Sequence, residues 1–246
     1  MPFLCWIRPE WPSASRVQAA FTLRPGGYSR GPYAGLNLGT HVGDVPRAVA
    51  ANRARLHRGL KLPAEPVWLQ QVHGTQVLHL PAAGGRPVAD AAWTDRPGVV
   101  CAVQVADCLP VLLADREGTR VGAAHAGWRG LAAGVLEATV AAMGLPAGRL
   151  MAWLGPAIGP RSFEVGEEVH AAFAERHPED AAHFQAVAPG RWRADLYGLA
   201  RARLERSGVQ SVCGGGDDTF SDRGRYYSHR RDGVTGRMAA LIWLPP

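Results

Sequence analysis

The sequence predicts an α/β or α+β fold from two kinds of pattern. Runs of β-branched and apolar residues at 99–106, 111–115 and 120–124 are typical of buried strands. Residues 130–143 instead carry apolar side chains at helical spacing. Strand and helix patterns intersperse without an internal repeat or a low-complexity linker, so we expect one continuous domain over residues 1–246. The pattern alone does not give the strand order.

The first third of the chain predicts turns, one helix and one extended segment. Residues 13–45 contain several Gly and Pro turn signals and are expected to be rich in strands and turns. Residues 45–60 predict a helix, with Asp44 as its N-cap and Pro46 in its first turn. Residues 67–80 alternate well enough to be a strand or one arm of a hairpin.

The remaining elements follow from similar signals. Residues 111–115 and 120–124 flank the turn-like Glu117-Gly118 and predict a hairpin. The helix over 130–143 should stop at Gly144 and Pro146. We further expect a buried strand at 151–154, a helix at 167–176, a helix capped by Asp195 that extends to residue 207, and a final strand at 238–244.

Composition excludes several classes of protein. With 47% hydrophobic and 20% charged residues in 246, the chain is typical of a globular protein and not of a disordered one. No apolar run approaches the ~20 residues of a membrane span, and the first residues lack the pattern of a secretory leader, so we expect a cytoplasmic protein. The net charge is +6, but the basic residues are spread along the chain and do not favour a nucleic-acid partner.

Some short motifs do not carry their usual function. Residues 27–31 satisfy G-x-S-x-G, but Pro32 and Gly35 exclude the helix that must follow a nucleophile elbow. The glycine-rich residues 214–218 lack both the spaced acidic ligands of a calcium loop and the Gly-Lys-Ser/Thr of a P-loop. The familiar zinc and nucleotide signatures are absent as well.

Three residues could form a metal site. If the chain turns at Glu117-Gly118, hairpin partners have numbers that sum to about 235, which brings Cys108 and His125 together near the open end of the hairpin. A second imidazole, which His73 could supply, would complete a three-ligand zinc site with an open fourth position. The alternatives are a small buried cysteine and hydrogen-bonded structural histidines.

The segment after His125 has features of an anion site. Gly127-Trp128-Arg129-Gly130 connects a strand to a helix, where free backbone N–H groups and the Arg129 guanidinium can hold an oxyanion. The alternative is a tight turn with Arg129 as a surface charge. If this segment forms an anion site, a phosphate could lie beside the metal.

Several longer motifs occur in the order found in one protein family. They include Gly-Pro-Tyr-Ala-Gly-Leu-Asn-Leu-Gly from residue 31, Gln71-Val72-His73-Gly74, Ala106-Asp107-Cys108-Leu109-Pro110, His125-Ala126-Gly127-Trp128-Arg129-Gly130, Gly155-Pro156-Ala157-Ile158-Gly159 and Tyr227-Ser228-His229-Arg230-Arg231-Asp232. With these motifs the chain resembles the bacterial YfiH proteins, also called the laccase-domain or multicopper polyphenol oxidase family. The resemblance covers residues 31–244. One departure is Asp218-Thr219, where the family commonly has Cys-Thr.

The resemblance implies a layered α/β/β/α sandwich with mixed sheets in a single domain. It also implies a zinc ion, with copper possible, held by His73, Cys108 and His125. The implied enzyme acts on purine nucleosides and phosphate: phosphorolysis of adenosine, guanosine, inosine and S-methyl-5'-thioadenosine, and deamination of adenosine. A zinc site with an open position is compatible with this chemistry, because zinc lowers the pKa of a bound water to about 7.

Roles for individual residues follow from the same resemblance. We expect Cys108, His125 and Arg129 to be catalytic. The candidate contacts to nucleoside and phosphate are Asn37, Arg53, Arg129 and Arg230. Asp107 or Glu164 could serve as acid or base, and the protein could be a monomer or a homodimer.

Three other functions compete with this one. A copper-dependent polyphenol oxidase needs paired His-x-His motifs, which do not occur among the nine histidines. A cysteine hydrolase would use Cys108 as nucleophile and His125 as base. The third alternative is a non-catalytic basic binding protein. Metal analysis and assays with and without phosphate separate these functions.

Overall fold

The computed structural model describes residues 4–12, 16–82 and 85–246. Residues 13–15, at the start of the predicted strand- and turn-rich segment, lie outside the described residues. The α-helices are α1 Pro46–Leu60, α2 Trp128–Ala133, α3 Val135–Ala142, α4 Glu167–Ala174, α5 Leu196–Arg206 and α6 His229–Asp232. None of the helices in the described residues is both long and apolar enough to span a bilayer.

The strands form two larger sheets and a small one. They are β1 Trp6–Ile7, β2 Gln18–Thr22, β3 Val67–Trp68, β4 Val77–His79, β5 Ala91–Thr94, β6 Val100–Val105, β7 Leu109–Asp115, β8 Val121–Ala126, β9 Leu150–Leu154, β10 Glu164–Gly166, β11 Phe184–Ala188, β12 Arg191–Ala194, β13 Ser211–Gly214 and β14 Met238–Trp243. The five-stranded sheet has the order β1-β2-β14-β6-β3, and the six-stranded sheet has the order β13-β9-β7-β8-β5-β4. Strands β10, β12 and β11 form the third sheet. Both larger sheets are mixed, since β3–β6, β4–β5 and β13–β9 are parallel pairs.

The alternation of side chains along the strands builds three apolar layers. On β7, Val111 and Leu113 pack in the layer that contains helices α2 to α5. Leu112 points to the opposite face, into the layer between the two larger sheets. On β6, Val100 and Ala102 pack with Leu56 of α1 on the outer face of the five-stranded sheet. The order of layers is therefore helices, six-stranded sheet, five-stranded sheet, helix, which confirms the predicted α/β/β/α sandwich with mixed sheets.

Several predicted elements are confirmed with small changes at their ends. The β7–β8 hairpin, strand β9, helix α4, helix α5 and strand β14 all lie where the patterns place them. The Asp195 carboxylate accepts a hydrogen bond from the Tyr197 backbone N–H and caps α5 as predicted.

Three predictions about individual elements are wrong. The cap of α1 is Val45, because the Asp44 carboxylate accepts hydrogen bonds from Ser29 and Asn37 instead. The helix predicted at 130–143 is two helices, since Gly134 adopts a left-handed conformation with φ 102° and separates α2 from α3. Residues 67–80 are not one strand: β3 lies in the five-stranded sheet and β4 in the six-stranded sheet.

Candidate metal centre and adjoining cavities

The hairpin β7–β8 positions two of the three candidate ligands. Pro110 pairs with His125, and all partners along the hairpin have numbers that sum to 235, as predicted. Cys108 lies directly before β7, in a turn where Asp107 has a φ of 89°. His125 is buried and Cys108 is half-buried, and both lie at the open end of the hairpin. The register of the β7–β8 hairpin thus fixes the positions of two candidate ligands.

The third ligand, His73, lies on the connection between the two sheets. His73 has a φ of 61°, and its conformation is held by the Asp90 carboxylate. Asp90 accepts hydrogen bonds from the backbone N–H groups of Val72, His73 and Gly74 at 3.1, 2.9 and 2.7 Å. The same carboxylate contacts Nδ1 of His125 at 2.8 Å. One buried residue therefore joins the His73 loop to the hairpin.

The geometry of the trio fits a metal ion. The ligand atoms of His73, Cys108 and His125 all lie within 4.8 Å of one another, and the Cys108 Sγ is 3.7 Å from His73 Nε2. A tetrahedral zinc with Zn–N of about 2.1 Å and Zn–S of about 2.3 Å requires ligand atoms roughly 3.4 to 3.7 Å apart. Because Asp90 contacts Nδ1 of His125, the Nε2 atom is available to a metal. Two imidazoles and one thiol are a donor set typical of zinc, and copper binds such a set as well.

A glycine leaves room for this arrangement. A Cβ added at Gly127 would lie 2.7 Å from the His73 ring and 3.0 Å from the Cys108 Sγ. Both distances are too short, so any larger residue at 127 would displace ligands. The glycine that the sequence suggested for an anion site therefore also serves the metal site.

The side chains of the trio shift one another's pKa values. Burial opposes ionisation of the Cys108 thiol, but His125 and His73 outweigh it and lower the pKa of Cys108 to about 6. Burial also disfavours a charged His125, yet Cys108 and Asp90 raise the pKa of His125 to about 9. Burial would raise the pKa of Asp90, whereas its hydrogen bonds with His125, Gly74 and Val72 lower it. The cysteine is thus available as the thiolate that metals bind.

Two cavities adjoin the trio and share the wall that contains His73, Ala106, Cys108 and His229. We call the larger one the arginine chamber; it has a volume of about 600 Å³ and is further lined by His41, Gln71, Arg86, Gln104 and Arg237. We call the smaller one the apolar pocket; it has a volume of about 170 Å³ and is further lined by Trp128, Arg129, Ile158, Phe163, Leu196 and Arg230.

Two predicted substrate contacts, Arg129 and Arg230, lie at the apolar pocket. The exposed guanidinium of Arg129 stacks over the Trp128 ring, 4.2 Å from its centroid. Arg230 lies over Phe163 and donates a hydrogen bond to the Glu164 carbonyl oxygen. Helix α2 has only six residues, so its dipole adds little to the expected anion site.

Asn37 and Arg53 are held by contacts within the protein. The Asn37 side chain is fully buried and bonds to Gly39, Asp44 and the Arg237 backbone N–H. Arg53 donates two N–H groups to the Leu38 carbonyl oxygen and stacks on Trp68. Neither residue lines one of the two cavities, so their role as direct substrate contacts stays a prediction.

The two candidates for acid or base differ in position. Asp107 accepts hydrogen bonds from Thr219, Ser228 and the Arg230 backbone N–H, so its carboxylate holds the chain around α6. Glu164 is exposed, lines neither cavity and pairs with Arg191. Asp107 also lines the apolar pocket, directly beside Cys108, so this carboxylate lies at the site while it holds α6. Asp218, which replaces the family's usual cysteine, accepts bonds from Gly159 and Ser162 and lines neither cavity.

Sequence reasoning missed five residues of the site. Asp90, Arg86 and Arg237 were not identified, and His41 and His229 were assigned to the surface or to the surroundings of the site although both line the arginine chamber. The signal for Asp90 was its position as a lone acid in the apolar run 88–93. No local pattern marked Arg86.

Fold and site together define a layered α/β protein with a two-histidine, one-cysteine group that could hold a metal ion. A family model described as multi-copper polyphenol oxidoreductase laccase matches residues 18–245, and the chain belongs to this family. It is 56% identical to a purine nucleoside phosphorylase of Pseudomonas aeruginosa over 97% of this chain and 98% of that protein. It is 51% identical to the purine nucleoside phosphorylase YfiH of Escherichia coli, with the same coverage of both chains.

Solved structures agree with these similarities. A Neisseria meningitidis protein has a TM-score of 0.95 at 50% identity, over 98% of this chain and 99% of that chain. YlmD from Geobacillus stearothermophilus has a TM-score of 0.92 at 32% identity, over 98% and 96%. The predicted resemblance to YfiH is confirmed.

Proposed function

We propose that the protein is a zinc-dependent purine nucleoside phosphorylase. The observation that carries the proposal is the His73–Cys108–His125 trio with two adjoining cavities, which leave room for two substrates at one metal centre. The names of the relatives in Pseudomonas and Escherichia support the substrate class. The proposed substrates are adenosine, guanosine, inosine and S-methyl-5'-thioadenosine, each with phosphate.

Phosphorolysis exchanges one bond at the ribose. A phosphate oxygen bonds to C1′, the C1′–N9 bond breaks with its electron pair on the purine, and the purine takes up a proton. A zinc ion held by the trio would supply Lewis-acid polarisation of a substrate oxygen or nitrogen. Asp90 orients His125 and His73, and Cys108 contributes the anionic ligand. Arg129 is proposed as a charged contact to substrate at the mouth of the apolar pocket.

The apolar pocket suits a purine. Trp128 and Phe163 offer aromatic surface and Ile158 offers an aliphatic wall, while Arg230 supplies hydrogen-bond donors. Deamination of adenosine, which replaces the 6-amino group with oxygen from water and releases ammonia, is part of the proposal and uses the same pocket. A cytoplasmic location belongs to it too, since Cys108 must stay reduced to bind a metal.

Metal analysis and assays of ligand variants test the proposal. Protein made without added metal should contain about one zinc per chain, and His73→Ala, Cys108→Ala and His125→Ala should each lose zinc and phosphorolysis together. The loss of zinc affinity should exceed the roughly 10- to 100-fold that changes behind the ligands cause. If Cys108→Ala keeps its zinc and loses activity, the cysteine-hydrolase mechanism replaces this one.

The family's description also names a copper oxidase, and a second assay separates the two. His73, Cys108 and His125 are the one group of three or more His, Cys, Asp or Glu side chains within the described residues that could hold a metal, and a laccase requires several copper ions. Phenol oxidation should therefore appear only after copper loading and should leave nucleoside phosphorolysis unimproved. A zinc form that oxidises phenols as fast as it cleaves nucleosides would contradict the proposal.

A further inference from the structure

The cations of the arginine chamber have no acidic partners in the described part of the chain. Arg86 donates to the Leu69 carbonyl oxygen, and Arg237 donates to the carbonyl oxygens of Thr235 and Gly236. Neither arginine forms an ion pair with a described Asp or Glu, and none of the described residues that line the chamber is acidic. Their remaining N–H groups are therefore available to an anion from outside the chain.

Other arginines of this protein show the contrast. Arg203 is fully buried and pairs with Asp180 and Glu137, and Arg206 pairs with Asp180 as well. The fully buried guanidinium of Arg203 is thus compensated by carboxylates. In the chamber, half-buried Arg237 has no such ion pair with a described carboxylate: burial lowers the pKa of Arg237, and the charges of Cys108, Asp107 and Tyr33 oppose that effect. Such a site is stabilised by a bound anion.

His41 adds a neutral donor to these cations. Desolvation and the charges of Arg237, Arg86 and Arg53 lower the pKa of His41 to about 4, so its imidazole is neutral at pH 7. Arg86 contacts Nδ1 of His41 at 3.1 Å, and since arginine can only donate, Nδ1 accepts and Nε2 carries the proton. The chamber therefore presents two guanidinium groups and one imidazole N–H, a donor set that matches a tetrahedral oxyanion.

We propose that Arg86, Arg237 and His41 bind inorganic phosphate in the arginine chamber. This inference rests on the proposed phosphorylase function and assigns its second substrate to a specific place. The chamber and the apolar pocket share His73 and Cys108, so phosphate and purine would reach the ribose from two adjoining cavities at the metal centre. The role of Arg129 moves from phosphate, as the sequence suggests, to the nucleoside in the apolar pocket.

Equilibrium binding of inorganic phosphate to the zinc-loaded protein, measured by calorimetry without nucleoside, tests the assignment. Arg86→Ala and Arg237→Ala should each weaken phosphate binding about 10- to 100-fold, the effect of one charge-assisted contact. Arg129→Ala removes the same charge beside the same metal but in the other cavity, and it should change phosphate binding less than about 2-fold. Arg116→Ala is the matched control, because Arg116 follows β7 more than about 20 Å from Cys108.

Two results would overturn the assignment. One is a loss of phosphate binding in Arg129→Ala with unchanged binding in Arg86→Ala and Arg237→Ala. The other is binding of a 5'-nucleotide, but not of free phosphate, that depends on Arg86, since the anion would then belong to the substrate. Zinc content and the urea midpoint of each variant show that it is folded, and Arg86→Lys should recover part of the binding.

The measurement is also independent of turnover. If phosphate binds in the chamber but no nucleoside is cleaved, the anion site stands and the phosphorylase proposal fails. If nucleosides are cleaved and the chamber variants bind phosphate normally, the phosphorylase proposal stands and the anion site fails.

Discussion

Two buried carboxylates, Asp90 and Asp115, hold two loops of this protein in nearly the same way. Both side chains are fully buried, and both accept hydrogen bonds from consecutive backbone N–H groups. Asp115 closes the turn of the β7–β8 hairpin by accepting bonds from Thr119 and Arg120, with Arg149 as a cationic partner. Asp90 holds residues 72–74 and has no arginine partner among the described residues; its further partner is His125.

The difference lies in what each loop carries. The Asp115 turn lies at the closed end of the hairpin, far from the metal centre, and its hydrogen bonds serve stability alone. The Asp90 loop carries the proposed ligand His73, and the bond from Asp90 to His125 fixes a second proposed ligand on another strand. The same kind of hydrogen bonding therefore closes a turn at one end of the hairpin and positions the proposed metal ligands at the other.

Replacement of each carboxylate by alanine gives the largest expected effects and sharpens this comparison. Asp90→Ala leaves three backbone N–H groups and one buried imidazole without their acceptor, and it should lower the free energy of unfolding of the metal-free protein by about 3–5 kcal/mol. Asp115→Ala should lower it by a similar amount. Zinc affinity should fall more than about 10-fold in Asp90→Ala and stay within about 2-fold in Asp115→Ala.

Urea unfolding in the presence of a chelator and zinc competition titrations measure the two quantities. Asp90→Asn serves as a milder variant, because it keeps one acceptor oxygen and the shape of the side chain. The comparison breaks down if both alanine variants lose zinc affinity equally, since the hairpin turn would then control the ligands as strongly as Asp90 does.

The hairpin shows how much of the site could be predicted. Strand periodicity and the Glu117-Gly118 turn fix the register, and the register brings Cys108 and His125 together without knowledge of any other part of the chain. The layered fold followed from the resemblance rather than from the patterns, which left the strand order open. Local signals thus predicted the proximity of two candidate ligands.

The rest of the site depends on distant contacts. His73 reaches the hairpin only because the chain passes from one sheet to the other between β3 and β4, and periodicity over 67–80 suggested a single strand. His41, Arg86 and Arg237 meet from three separate parts of the sequence. Asn37 was expected at the substrate but is buried beneath the Arg237 backbone. These long-range contacts depend on tertiary packing, which a short sequence pattern does not encode.

The second prediction concerns the space that Gly127 leaves between the His73 loop and the β7–β8 hairpin, the two regions that Asp90 joins. Gly127→Ala places a methyl group against His73 and Cys108, while the φ of −62° at Gly127 suits alanine. We expect zinc affinity to fall about 10- to 100-fold, with a change in metal-free stability below about 1 kcal/mol. Gly148→Ala is the control, because a Cβ there meets nothing within 4 Å. Unchanged zinc binding in Gly127→Ala would show that His73 does not bind the metal in this position.

The smallest effect is a pH dependence at the hairpin turn. Burial would raise the pKa of Asp115, but hydrogen bonds from Arg120, Thr119 and Arg149 outweigh it and lower the pKa below its usual 3.8. A carboxylate with a lowered folded-state pKa adds stability above its unfolded pKa, and this stability disappears as the pH falls through the folded value. Asp115→Asn should therefore reduce the free energy of unfolding by about 1–2 kcal/mol between pH 5 and 7 and by progressively less below about pH 4.

Glu117→Gln is the matched control, since exposed Glu117 pairs with the same Arg149 at 2.7 Å and should contribute less than about 1 kcal/mol at any of these pH values. Urea unfolding of the three proteins at pH 7, 5 and 3.5 gives the comparison. An Asp115→Asn deficit of equal size at pH 3.5 and pH 7 would show that the ionised carboxylate does not hold the turn.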